Sequence, residues 1–298
     1  MNRKHTVEKK PFPATGPYAW TGCELTSPVL ADHDYAIEIE NVCRVLNRIR
    51  IHLNETTAVH VHVGPGNEPF SLLTVKRFAT LYWFTEEAIL QLHHPSRYAN
   101  GHCLRSTRHS MLAGLSQEYL ETKLKYSEDN MTEMAFHIPA HNMTSLEYAH
   151  ACYIWACSTI DEVARLMSNR RHIILSDGIY FDRGWLIGLK RFSPAGETGR
   201  EFWTFEWRHM SGSLNADHIN QWVKVYGAFT HLCRTADSAT FYLFLKAIME
   251  KGHHYNGYHL LSALSIDNQI FGNIRAAWAR DPDFFNGDRG PELFVTKW

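Results

Sequence analysis

The spacing of apolar and polar positions changes several times along the chain, and each change marks an element. Residues 18–27 alternate as a strand does. Trp20, Gly22, Glu24 and Thr26 fall on one face and Ala19, Thr21, Cys23 and Leu25 on the other, until Pro28 ends the run. From 34 to 54 the period lengthens. Tyr35, Ile39, Val42, Leu46, Ile49 and Leu53 recur at steps of four and three, which predicts a helix with that stripe turned to the core and Asp32 or Asp34 as its cap. Residues 59–63 return to a period of two. Val59, Val61 and Val63 share one face, His60 and His62 the other, and Gly64-Pro65-Gly66-Asn67 forms the closing turn. Ser71 is placed to cap a long helix over 71–92, with Glu86 and Glu87 on its solvent face.

Farther on, His93 to Cys103 is a polar loop punctuated by Pro95 and Gly101, and 112–126 and 144–168 are helical. Segment 171–192 reads as strands around Gly178 and Gly184. Residues 201–209 form a second informative strand, with Trp203, Phe205 and Trp207 on a core face and Thr204, Glu206 and Arg208 on its reverse. Helices follow over 215–234, 239–250 and 257–265, and the turn-rich end is irregular. Residues 1–17 are a polar tail, and 18–298 is one domain with no repeat, linker or low-complexity tract.

Composition narrows the class of function. A formal charge of −1 and a pI near 7 do not suit a protein that grips nucleic acid by phosphate neutralisation. The expected partners are small-molecule or peptide substrates, with no nucleic acid and no membrane. Six scattered cysteines without a C-x-x-C pair point to reduced thiols, and no apolar leader or membrane-length run occurs. The expected location is cytoplasmic or nuclear, without secretion.

Candidate chemistry lies on the polar faces of the strands. Nothing about burying a sheet requires two imidazoles about 7 Å apart on one strand face. A His-x-His strand suits a pocket floor, although with 19 histidines in the chain it also arises by composition alone. His137 and His141 stand four apart, but Pro139 between them spoils a shared helical face for zinc. Cys152 and Cys157 read as core thiols. If the three polar-faced strands share one sheet, its open face collects Glu24, His60, His62, Glu206 and Arg208. Carboxylates suit a hard cation such as Mg²⁺, imidazoles can act as ligand, base or donor, and arginine suits a phosphate or carboxylate. That set fits Mg-nucleotide phosphoryl transfer to a carboxylate better than hydrolysis at zinc.

Gly22-Cys23-Glu24-Leu25-Thr26-Ser27-Pro28-Val29-Leu30, followed by the His60/His62 strand, resembles the amidoligases, carboxylate–amine ligases with the glutamine synthetase and glutamate–cysteine ligase fold. The helix from Ser71, then Pro95, Arg97, Asn100 and Cys103, then Phe205-Glu206-Trp207-Arg208 and Gly212-Ser213-Leu214 before Trp222 continue the likeness in order, over about 18–235. The resemblance implies an α+β fold around a curved, mainly antiparallel sheet, with one open polar face and helices packed on the other. It implies ATP and Mg²⁺ (or Mn²⁺) as cofactors. The reaction would phosphorylate a carboxylate and let an amine displace the phosphate, giving an amide or isopeptide bond. Carried over by position, Glu24, His62 and Glu206 are the metal residues. His60, His62 and Arg208 are catalytic, and Arg97, Asn100 and Arg208 bind the cofactor.

Two departures qualify the resemblance. The family opens with an F-G-x-E-x-E strand, and no such motif stands ahead of Gly22. Its late E-F-R-Q-H-E-G-T becomes Glu206-Trp207-Arg208-His209-Met210-Ser211-Gly212-Ser213, which drops one acid. These departures leave open an N-terminally truncated chain, or a divergent relative that binds a peptide or metabolite without catalysis. A zinc amidohydrolase, whose first barrel strand also carries H-x-H, is a third reading. It needs further histidines and a late aspartate that the pattern does not supply.

Overall fold

The computed structural model describes residues 22–49, 51, 53, 56–66, 68–94, 97–98, 103–116, 118, 128–168, 172–175, 178–181, 187–192, 202–269 and 271–272. The chain divides into two compact units, Met1–Tyr35 and Ala36–Trp298. In the first, residues 22–31 are irregular backbone, and the strand expected over 18–27 is not formed over its described part. Residues 22–29 are all exposed, Leu25 included, so burial does not hold this stretch as a strand. A turn then leads into α1 (Tyr35–Leu46).

The second unit continues through β1 (Ala58–Val63), α2 (Leu72–Leu90), α3 (Ser106–His109), α4 (Glu128–Ala135), α5 (Ser145–Ala156) and α6 (Ile160–Leu166). The strands β2 (His172–Leu175), β3 (Gly178–Phe181), β4 (Ile187–Phe192) and β5 (Phe202–Ser211) follow. Helices α7 (Ala216–Thr235), α8 (Ser238–Lys251) and α9 (Gly257–Ala263) come after them. Among the described residues there are two antiparallel sheets, one of order β1-β5-β4 and one formed by the β2-β3 pair. Among the described residues, no helix is long and apolar enough to cross a membrane. All six cysteines are free thiols.

Helix α2 is the hub. Ser71 caps it as its sequence position predicts, its hydroxyl accepting from the Thr74 N–H. Because α7, α9, α5 and α6 all pack on it, α2 is buried on nearly every side. That burial corrects the sequence reading of Glu86, which is only 1% exposed. Glu87, one position on, is exposed as expected and pairs with Arg105 at 2.8 Å. The helix expected over 34–54 ends at Leu46, and its buried side chain is Cys43, while Val42 and Ile49 of the expected stripe are exposed. The single helix expected over 144–168 is two. Thr159 and Glu162 form a capping box that restarts the chain as α6, just as Thr144 and Glu147 start α5.

The sheet meets α2 through aromatic residues of β5. Phe205 and Trp207 are fully buried, each contributing about 2–3 kcal/mol of apolar burial. Phe78 of α2 stacks on Phe205 with ring centroids 3.5 Å apart, and Tyr226 of α7 stacks on Trp207 at 4.3 Å. Alternation then turns the next residues of β5 to the opposite face.

Candidate functional site

Strands β1 and β5 are antiparallel neighbours, with His62 directly across from Glu206, Val61 from Trp207 and Val63 from Phe205. The valines therefore share the core face with the aromatics. His60, His62, Thr204, Glu206 and Arg208 stand on the other face. On the far side of β5, Gly188 of β4 pairs with Glu206.

The register shifts once. One residue of β1, His60, separates Val59 from Val61, whereas Arg208 and His209 both lie between their partners Met210 and Trp207. This is a β-bulge with its extra residue on β5, a feature that re-aims side chains and leaves ladder groups unpaired. Arg208 stays beside Glu206 on the polar face, and His209 lies on the core side, where it is fully buried.

Glu206 sits at the centre of the polar face. Its Oε1 lies 2.7 Å from Arg208 Nη2, 3.5 Å from His60 Nδ1 and 3.7 Å from His62 Nε2. Glu206 and Arg208 are both largely withdrawn from water, at 4% and 12% side-chain exposure, so their ion pair is a desolvated one. Burial, followed by the Arg208 charge, pushes His60 down to about 4. At pH 7 His60 is then a neutral imidazole beside the carboxylate rather than its ion-pair partner, despite the short separation. His62 shares a hydrogen bond between Nδ1 and Thr204 Oγ1 at 3.0 Å, which leaves Nε2 as its nitrogen nearest Glu206.

A second polar layer lies under this face. The Tyr82 hydroxyl donates to Glu86 Oε1 at 2.7 Å and stands 3.1 Å from His209 Nε2. With its proton committed to Glu86, Tyr82 can only accept from His209, which assigns the proton of that imidazole to Nε2. Burial and the nearby Arg97 charge push His209 down to about 3, and it is neutral. His93 stacks on Trp222 at 3.7 Å and beside His209 at 5.4 Å, and burial holds it well below the ordinary histidine range. Glu86 completes the layer by accepting from the Ser106 and Thr107 N–H groups at 2.6 and 2.9 Å and from the Thr107 hydroxyl.

Of the residues singled out in the sequence, the fold brings His60, His62, Glu206 and Arg208 together. Glu24 belongs to the other unit, where it is exposed on irregular backbone. Arg97 is 1% exposed and donates from Nε to the His209 carbonyl at 3.0 Å and from Nη2 to the Arg208 carbonyl at 2.7 Å. Asn100 lies outside the described residues. His137 and His141 serve separate partners, Arg77 and Tyr242. Thr204, Tyr82 and His209 are the site's unforeseen members. Thr204 had a signal in the alternation of β5, and Tyr82 has one in its four-residue spacing from Glu86.

The described residues contribute one carboxylate and two imidazoles to this face, and the carboxylate is paired with Arg208. Among the described residues there is no group of three or more His, Cys, Asp or Glu placed to hold a metal ion. Mg²⁺ prefers oxygen ligands, so these residues offer it one carboxylate rather than a cage.

A family model described as "putative amidoligase enzyme" matches residues 2–165, more than half of the chain. The match takes in β1 and Arg97 and ends before β5. Searches of the curated proteins and of the solved structures find no match.

Proposed function

The chain belongs to the amidoligase family, and from that premise we propose that it joins a carboxylate to an amine on the open face of β1 and β5. The observation that carries the reading is the meeting of His60, His62 and Arg208 around one buried carboxylate, Glu206. In the proposed reaction, an oxygen of the substrate carboxylate attacks the terminal phosphorus of ATP, and ADP leaves. The acyl-phosphate carbonyl is then attacked by the amine. The C–O bond to phosphate breaks, inorganic phosphate departs and the nitrogen loses a proton as the amide forms.

The chain's own residues would serve this sequence in distinct ways. Arg208 offers guanidinium donors to the transferred phosphate or to the acid. Neutral His60 can donate or accept a hydrogen bond without adding charge, and His62 is oriented for the same work by Thr204. Glu206 would be the carboxylate available to a magnesium or manganese ion brought with the nucleotide, and such an ion would supply neutralisation of phosphate charge. On this reading the sheet is the floor of a glutamine synthetase-like fold.

The test is titration calorimetry of Mg-ATP into the full chain, together with ADP release in mixtures of amino acids and amines. Binding by the unmutated protein and its loss in Glu206→Ala and Arg208→Ala are the expected results. No detectable nucleotide binding by a folded, unmutated chain would overturn the ATP-dependent reading and favour a binding protein without catalysis.

A further inference from the structure

The bulge in β5 poses a problem of hydrogen bonding that one residue solves. Where two residues oppose one, the ladder cannot satisfy every backbone group, and the carbonyls of Arg208 and His209 accept from Arg97 instead. Its planar guanidinium reaches both successive carbonyls, at 2.7 and 3.0 Å, which the single ammonium of a lysine does not reproduce with the same geometry. Arg97 is itself held in place. Its N–H donates to the His94 carbonyl at 2.9 Å, and its own carbonyl accepts from the buried Cys103 thiol at 3.5 Å.

We propose that Arg97 is a positioning residue: it fixes the bulge at Arg208–His209 and so sets where the Arg208 guanidinium meets Glu206. This rests on the reading of the open face as the substrate site, and it departs from the direct nucleotide contact that the family resemblance implies for Arg97. The two N–H groups whose partners are seen are spent on main-chain carbonyls beneath the face rather than held toward it. A desolvated cation is an expensive tie, and burial lowers the Arg97 pKa. A tie of this kind has a clear use where the strand it holds aims a second arginine.

The experiment compares the full chain with Arg97→Lys by two readouts. The first is the nitrogen-resolved Nε–H signal of Arg208, with that of Arg77 as control. Arg77 is buried and donates to the Ala236 carbonyl at 2.7 Å, away from the sheet. The Arg208 signal should shift or broaden while the Arg77 signal stays in place. The second is Mg-ATP affinity, which should fall about tenfold as one charge-assisted contact is misaligned. Where the lysine variant loses both arginine signals, and so does not fold, Arg97→Gln keeps one donor group and takes its place.

An unchanged Arg208 signal in the folded variant would overturn the proposal. A weakened Mg-ATP affinity with an unchanged Arg208 signal would do so as well, by assigning Arg97 to the nucleotide itself. If the unmutated chain binds no Mg-ATP but the Arg208 signal moves, the ligase reading fails while the positioning role stands.

Discussion

At the scale of single residues, the Glu206–Arg208 pair carries the largest energetic consequence. Both groups are nearly dry, so removing one takes from the other an ion-pair partner held at 2.7 Å out of water. Glu206→Leu or Arg208→Met alone should each cost about 3–5 kcal/mol in urea unfolding. The double variant should recover most of that loss while still failing to bind Mg-ATP. If the double variant is as unstable as the sum of the singles, the two side chains are not coupled and the pair is not the centre of the face. The same pair shows how far residue types could be read from the sequence. Alternation placed Glu206 and Arg208 on one face of β5, but it could not report that both would be withdrawn from water. Glu86 makes the point more sharply. It sits one position before the exposed Glu87, and only the packing of α3 against α2 distinguishes a buried acceptor from a surface carboxylate.

At the scale of elements, boundaries written in capping residues were legible, and those set by packing were not. Ser71 and Asn215 begin α2 and α7 as their sequence positions predict. The close approach of α9 to α2 had no such signal. At Gly257, in the first turn of α9, an added Cβ would meet the Leu92 side chain and, at 2.6 Å, the Ala88 carbonyl oxygen. A side chain can yield, but a helical carbonyl cannot without disturbing α2. Gly257→Ala should therefore destabilise by about 1–3 kcal/mol, against the better helix propensity of alanine. An equal or higher urea midpoint in that variant would show that the two helices have room to separate. The bulge belongs to this scale too. It arises from the pairing of β1 with β5, and neither strand announces it alone.

At the scale of the whole molecule, buried neutral histidines make stability depend on pH. His209 is pushed down to about 3 and His218 to about 4, both chiefly by burial. In the unfolded chain each returns to about 6.5. Between those values the unfolded state binds more protons than the folded one, so stability rises with pH. The contribution is complete above about pH 6.5 and is lost as pH falls toward 4, at up to about 1.4 kcal/mol per pH unit for each histidine. Urea unfolding at pH 7, 6 and 5 should show a progressive loss before ordinary carboxylates titrate. A flat profile across that interval would mean that these imidazoles are hydrated in solution.

The sequence by itself determined the periods of the strands and helices, several of their caps, and the sharing of one face by His60 and His62 and by Glu206 and Arg208. Those properties follow from the two-residue repeat of a strand and from side chains bonding nearby backbone, which act over a few positions. Only the tertiary structure decided that the two faces become one. His62 and Thr204 stand 142 positions apart and share a hydrogen bond because β1 and β5 pair. It also decided that Arg97 ties the bulge from below and that Glu86 lies inside. Pairing and burial are set by which distant surfaces exclude water from each other, and no local pattern of residues encodes that choice.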